Sequence, residues 1–329
     1  MQDKKVERRK LGNSGLEIAP LVFGGNVFGW TVDAARASEL LDHFVDAGFN
    51  MIDTADVYSR WVPGNQGGES ETMIGKWMKQ RGKRDQVLIA TKVGMDRGSR
   101  RKGLSRQYIL RAAEESLARL RTDYIDLYQS HEEDPQTPQE ETLEAYAELM
   151  KAGKVRAIGA SNFRPETLRA ALQISRQKRL PRYESLQPLY NLYDRAEFES
   201  GLEQVCMENH LGVIPYFSLA SGFLTGKYRS EQDLTKSGRG SSVRKYLNPR
   251  GFRILAVLDE VAKQYKATPA QVSLAWLMAR PSVTAPIASA TNLKQLDELI
   301  GSTRLKVDAA AIEKLDRASA YKEEERKTA

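Results

Sequence analysis

The chain has 329 residues, 41% apolar and 28% charged, which is ordinary globular composition at a length that a single α/β barrel can fill; one domain spanning residues 1–329 is expected. No run approaches the ~18 apolar residues of a membrane span, the charged first ten residues have no apolar signal core behind them, and one cysteine, Cys206, with three histidines argues against a disulfide framework or a bound metal, so the expected setting is the reducing cytoplasm. The net charge of +7 is spread along the chain rather than gathered with aromatics, which speaks against nucleic acid. The densest basic piece, 97–102, reads as a solvated loop, or else as a site drawing an anionic cofactor or substrate.

In chain order, 10–18 reads as a hairpin with a Gly/Asn turn and 21–24 as a strand. Residues 33–47 carry helical periodicity, with Leu40, Leu41, Phe44 and Val45 on one side, and stop at Gly48. A buried run opens at Met51 and Ile52. The pattern then recurs: helix 69–80, strand 87–90, a helix capped by Ser105 and running to about Leu120, strand 124–128, helix 138–152, strand 155–159, and helix 165–177 with proline at its start. Strand 185–187, helix 196–209 and strand 212–216 follow. Helices 251–265 and 269–278, strand 283–287, and helices 293–300 and 309–319 close the chain. Buried strands without polar alternation fit a parallel sheet covered by helices. Eight such units after a hairpin favour a closed ring over an open sheet.

In such a ring, chemistry sits where strands emerge at their carboxyl ends. Those ends supply Asp53, with Tyr58 just beyond it, then Lys92, His131, Ser161 and Asn162, Gln187, and finally Tyr216 and Ser218. A tyrosine ordinarily titrates near ~10, and a neighbouring ammonium favours its phenolate. Tyr58 is therefore the candidate general acid, Lys92 its electrostatic activator, Asp53 the group that orients Lys92, and His131 the group that positions a carbonyl. Taken singly, each of these has a bland reading as a rim or surface residue; their joint placement on successive strand ends lowers it.

At these residues the sequence resembles the aldo-keto reductase superfamily. The resemblance rests on the segment Gly48 to Tyr58 (GFNMIDTADVY), on Thr91-Lys92, on Asp123 to His131 (DYIDLYQSH), on Ile158 to Phe163 (IGASNF) and on Gln187 to Asn191 (QPLYN), and it covers nearly the whole chain. It implies an α/β (β/α)8 TIM barrel with an N-terminal β-hairpin closing the bottom and extra C-terminal helices. It also implies NADPH lying across the mouth; no Gly-x-Gly-x-x-Gly occurs. By position, Ser161, Asn162 and Gln187 would hold the carboxamide and Tyr216 would stack on the nicotinamide. Phe217, Ser218, Leu219, Gly222 and Lys227 would wrap the pyrophosphate, with Gly25 and Asn26 near the ribose and Asp53 beside it.

One departure bears on the cofactor. The adenosine-phosphate segment reads Ala288, Ser289, Ala290, Thr291, then Gln295 and Glu298, with Thr291 where the family usually carries arginine and Leu299 where it carries asparagine. An arginine clasps phosphate through paired hydrogen bonds, so NADH acceptance is expected beside NADPH, with Lys294, Arg239 or Arg244 as substitute cations. Trp30, Trp61, Tyr58 and His131 resemble the family's pocket wall, which suits an uncharged aldehyde, ketone or alcohol; a basic 97–102 loop facing the mouth would instead admit an anionic substrate. Walker, Gly-x-Ser-x-Gly and Tyr-x-x-x-Lys patterns are absent. The competing class is a nicotinamide-binding regulatory or redox-sensing subunit with little turnover, which the four strand-end residues disfavour. A monomer and a homo-oligomer fit the sequence equally.

Overall fold

The computed structural model of the protein describes residues 6–98 and 101–321. Strands β1 (Arg9–Lys10) and β2 (Glu17–Ile18) form an antiparallel hairpin. Then come β3 (Val22–Gly24), α1 (Ala34–Asp46), β4 (Met51–Asp53), α2 (Glu69–Arg81), β5 (Leu88–Val93), α3 (Arg106–Leu120), β6 (Ile125–Ser130) and α4 (Gln139–Lys151). The second half holds β7 (Val155–Ser161), α5 (Pro165–Lys178), β8 (Tyr183–Gln187), α6 (Glu203–Glu208), β9 (Gly212–Val213), α7 (Gly240–Val243), α8 (Pro249–Tyr265), α9 (Pro269–Met278), β10 (Ile287–Ala288), α10 (Leu293–Ser302) and α11 (Ala309–Ser319). The parallel strands run β10-β3-β4-β5-β6-β7-β8-β9. The two edges meet where Val213 bridges Val283 and the Ile287 amide donates to the Pro215 carbonyl at 3.0 Å, so the sheet is a closed (β/α)8 barrel.

The period of two along a strand explains what fills the ring. Val22, Met51, Ala90, Leu127, Ala157, Ile214, Ala285 and Ile287 make a lower apolar layer, and Leu11, Leu16 and Ile18 of the hairpin complete it from below. Gly12 makes that closure possible: its φ is +56°, and a Cβ there would lie 2.2 Å from the Glu184 carbonyl oxygen. Two residues further up the same faces stand Asp53, Lys92 and Gln129. Apolar below and polar above, the interior is solid at the hairpin end and chemically equipped at the carboxyl end. The helices start as their sequences imply, with the side chains of Asp33, Ser105, Asn248, Thr268, Asn292 and Asp308 accepting first-turn amides.

Besides shifted strand bounds, such as a last strand at Ile287–Ala288 rather than 283–287, two stretches depart from the sequence reading. The helix expected over 196–209 is a π-helical turn (Phe198–Leu202) running into α6, with Gly201 outside helical geometry. Apolar spacing does not register an i→i+5 hydrogen bond, so periodicity alone sees one helix there. Between β9 and α8 lie 3-10 turns at Ala220–Thr225 and Glu231–Lys236, the second held by a Ser230/Asp233 capping box. Turns this short carry no apolar period for a sequence reading to detect. They bring the chain back to the loop after β3, where Arg239 lies 5.2 Å from the Trp30 ring.

Candidate active site

The carboxyl end of the barrel gathers the groups that successive strands supply. Lys92, on the inward face of β5 and fully buried, donates from Nζ to Asp53 Oδ2 at 2.6 Å, to the Thr54 carbonyl at 2.8 Å and to the Tyr58 hydroxyl at 3.1 Å. Three donors with three acceptors fix one ammonium position, directly beneath the phenol. Asp53 is held in turn: its Oδ1 accepts from Gln187 Nε2 at 2.8 Å and from Gln129 Nε2 at 3.3 Å. The His131 ring stands 6.0 Å from the Tyr58 ring, edge to face, and Trp61 stands 5.6 Å away on another side. Trp30 packs on Trp61 at 5.9 Å. Trp61 is 48% exposed and so is a wall open to the cleft rather than part of the core.

Charge follows from this geometry. Burial works against the Lys92 ammonium, but Asp53 and Tyr58 outweigh it and hold the charge on. For Tyr58, burial is the largest influence and pushes the phenol up, with Lys92 pulling it back down. The net direction is upward, which corrects the expectation of an acidified phenol. Tyr58 rests protonated, and Lys92 is placed to stabilise the phenolate once the proton has gone. Burial, reinforced by the Lys92 charge, lowers His131 well below its usual range, so the imidazole is neutral at pH 7.

The next strand ends form a second group. Ser161 Oγ donates to the Gln187 carbonyl at 2.8 Å, and Asn162 Nδ2 donates to the His131 carbonyl at 2.9 Å. Tyr216 donates its hydroxyl to Asn162 Oδ1 at 2.7 Å, and Asn162 itself is exposed at the mouth in left-handed backbone, φ +53°. Phe217 follows, 45% exposed, then Ser218 and Leu219. Gly222, at φ +97°, leaves its Cα side to the Lys227 ammonium, which would lie 3.4 Å from a Cβ. Across the mouth, Gly25 and Asn26 follow β3, and Ser289 donates to Asn26 Oδ1 at 2.7 Å. Ala288 and Ala290 flank Ser289 and are buried. Thr291 donates through its amide and hydroxyl to Gln295 Oε1, while Glu298 lies one turn further along α10. Arg239 is half-buried with Nη2 lacking a hydrogen-bond partner among the described residues. Arg244 is exposed and lies 3.6 Å from Glu231.

The basic 97–102 stretch does not present a uniform cationic face. Arg97 turns inward, buried between Asp56 at 3.7 Å and Glu115 at 3.5 Å, whereas Arg101 and Lys102 are exposed. Residues 99 and 100 lie outside the described residues. Desolvating Arg97 against carboxylates is the alternative to leaving those carboxylates alone inside the protein, and it removes that charge from the mouth.

Sequence reasoning missed Gln129 and Glu69. Gln129 sits two residues before His131 on β6, facing the same way as Ile125 and Leu127, and a period-two reading of that strand exposes it. Glu69 anchors the loop that carries Tyr58: its carboxylate accepts from the amides of Ser59 at 3.2 Å, Gln66 at 2.8 Å and Gly67 at 3.0 Å. Only the path of the loop brings those amides to it.

Residues 20–320 match the model of the aldo/keto reductase family. The aldo-keto reductase YhdN of Bacillus subtilis is 33% identical over 305 residues, covering 89% of this chain and 88% of that protein. L-glyceraldehyde 3-phosphate reductase of Escherichia coli is 32% identical, with 89% and 86% covered, and the NADP(+) aldo-keto reductase yakc of Schizosaccharomyces pombe is 30% identical, with 95% and 91% covered. The chain belongs to the aldo/keto reductase family of oxidoreductases, enzymes that act on small-molecule carbonyl compounds.

Proposed function

We propose that the protein reduces an aldehyde or ketone to the alcohol with NADPH, or runs the reverse oxidation, and that Tyr58 is its proton donor. The observation that carries this reading is the Lys92 ammonium, hydrogen-bonded at once to Asp53 and to the Tyr58 hydroxyl at the open end of the barrel. The bound nicotinamide would supply the hydride that goes to the carbonyl carbon.

The residues at the mouth fit that cofactor. Ser161, Asn162 and Gln187 offer hydroxyl and amide groups within one small area, which is what a carboxamide needs. Tyr216 offers a ring beside them. Lys227 and Arg239 offer cations, and the unpartnered Nη2 of Arg239 suits an anion. Thr291 in place of arginine leaves the adenosine end with neutral donors, which favours acceptance of NADH beside NADPH.

The chain's own part in the reaction is acid catalysis and charge placement. A carbonyl oxygen between Tyr58 and His131 accepts hydrogen bonds from the phenol and from the neutral imidazole. As negative charge develops on that oxygen, Tyr58 gives up its proton and the phenolate is held by Lys92, whose charge Asp53 keeps in place. Trp30, Trp61 and Phe217 shield the site from water and select an apolar body for the substrate.

Removing the proton tests the assignment. Tyr58→Phe is expected to lower the turnover of an aromatic aldehyde by about 10²–10⁴-fold, with nucleotide affinity, read by fluorescence titration, nearly unchanged. A phenylalanine variant turning over at the wild-type rate sinks the reading.

A further inference from the structure

Next to Tyr58 in the chain begins a cluster of buried polar groups that the proposed chemistry does not use. Asp56 belongs to the same strand-end loop as Asp53 and Tyr58. Its amide donates to the Lys92 carbonyl at 3.3 Å, yet its carboxylate points into the space between α2, α3 and the loop after β5. Neither oxygen has a hydrogen-bond partner among the described residues. The nearest cation is Arg97 Nη1 at 3.7 Å, beyond hydrogen-bonding reach. Arg97 Nε and the hydroxyls of Tyr108 on α3 and Tyr128 on β6 are likewise buried and unpartnered. Both tyrosines feel the Asp56 charge. Polar groups that converge in a protein interior are satisfied by ordered water, typically with about three hydrogen bonds each.

The surrounding charges define what Asp56 can do. Glu71 of α2 is already satisfied by Arg119 Nε and the Thr91 hydroxyl, both at 2.6 Å. Glu115 of α3 shares Arg97, Arg119 and Arg111. Arg97 also donates Nη2 to the Gly67 carbonyl at 3.2 Å, so both ends of the Tyr58 loop meet at Arg97. Three carboxylates thus face the buried guanidinium of Arg97 and the partly exposed ones of Arg111 and Arg119, and Asp56 is the acid left without a hydrogen bond among the described residues.

We propose that Asp56 is a positioning residue for Tyr58, anchoring its loop through ordered water shared with Arg97, Tyr108 and Tyr128, and that this anchor is set by whether Asp56 holds a proton. Burial, with Glu71 adding to it and Arg97 opposing, raises the Asp56 carboxyl to about 7. The folded protein therefore binds more protons than the unfolded chain between the ordinary carboxylate range and about pH 7, and stability falls as pH rises through that window. An ionised Asp56 also disfavours the phenolate left by proton donation, so carbonyl reduction slows as Asp56 ionises.

The test compares wild type with Asp56→Asn from about pH 5 to about pH 8.5, following thermal unfolding and, separately, kcat for an aldehyde. The asparagine variant is expected to gain in melting temperature relative to wild type as pH rises, and its kcat profile is expected to lose an inflection near neutrality that wild type shows. Tyr128→Phe, which keeps the carboxyl but removes a water partner, moves that inflection to higher pH. Superimposable melting curves for wild type and Asp56→Asn across this range, or an inflection that survives in Asp56→Asn, overturn the proposal. The kcat arm rests on the carbonyl-reduction reading, but the thermal arm does not. Diverging melting curves with no carbonyl turnover in either protein would sink that reading and leave the anchor standing.

Discussion

Each polar residue at the barrel mouth takes its chemistry from its neighbours rather than from its own type. Lys92 stays charged in a dry interior because Asp53 lies 2.6 Å away, and Asp53 stays in register because two glutamine amides hold its other oxygen. His131 shows the converse. It has no carboxylate partner, a lysine charge acts on it, and its Nδ1 lacks a hydrogen-bond partner among the described residues. Its unfolded imidazole takes up a proton near pH 6.5 and its folded one only well below that. The unfolded chain therefore binds more protons in that window, and stability drops as pH falls through it. Replacing His131 by glutamine is expected to flatten this decline. Denaturant midpoints measured on both sides of pH 6.5 check it, and an equally steep loss in the variant contradicts the neutral-imidazole assignment.

At the scale of elements, the proposed reading puts selectivity on the loops after the strands, while strands and helices hold them still. The segment from Ser289 to Thr291 enters α10, where Asn292 caps the first turn. Leu299, in the position of the family's asparagine, is buried in the core and offers the nucleotide nothing. On the proposed reading, discrimination between NADPH and NADH at this end would depend on neutral donors and on Lys294. Thr291→Arg is expected to raise the NADPH-over-NADH ratio of kcat/KM by about ten- to hundredfold, the value of one charge-assisted contact. Steady-state kinetics with both nucleotides read this directly. A wild-type ratio already above about a thousandfold, roughly 4 kcal/mol, contradicts the relaxed selection read from Thr291.

For the molecule as a whole, the proposed chemistry and the hairpin packing occupy opposite ends of one ring. The hairpin residues Leu11, Leu16 and Ile18 fill the bottom against strand residues from around the barrel, and none of them touches the polar layer at the mouth. Leu11→Ala is expected to cost about 2–5 kcal/mol of stability through the cavity it leaves, with turnover at room temperature unchanged. Denaturant unfolding beside an activity assay separates the two effects, and a large loss of turnover in a still-folded variant contradicts that division. Among the described residues, no helix is long and apolar enough to cross a membrane.

Much of this arrangement is legible in the order of residues. Alternating buried runs and amphipathic stretches imply the barrel, since a strand that is apolar on both faces has to be covered on both. Asp53, Lys92 and His131 stand out because each lies at or next to the carboxyl end of a strand, and Tyr58 because it lies in the loop just past Asp53. Register, burial and loop path required the tertiary structure. Gln129 joins the site only when β6 is aligned beside β5, and Glu69 becomes an anchor only when its loop folds back over it. Arg97, exposed by composition, turns inward to meet Asp56, and the direction in which Tyr58 titrates depends on how far burial exceeds the pull of Lys92. Patterns along a chain record which residues prefer the interior; which buried charges face one another depends on contacts between segments far apart in sequence, and the fold sets those.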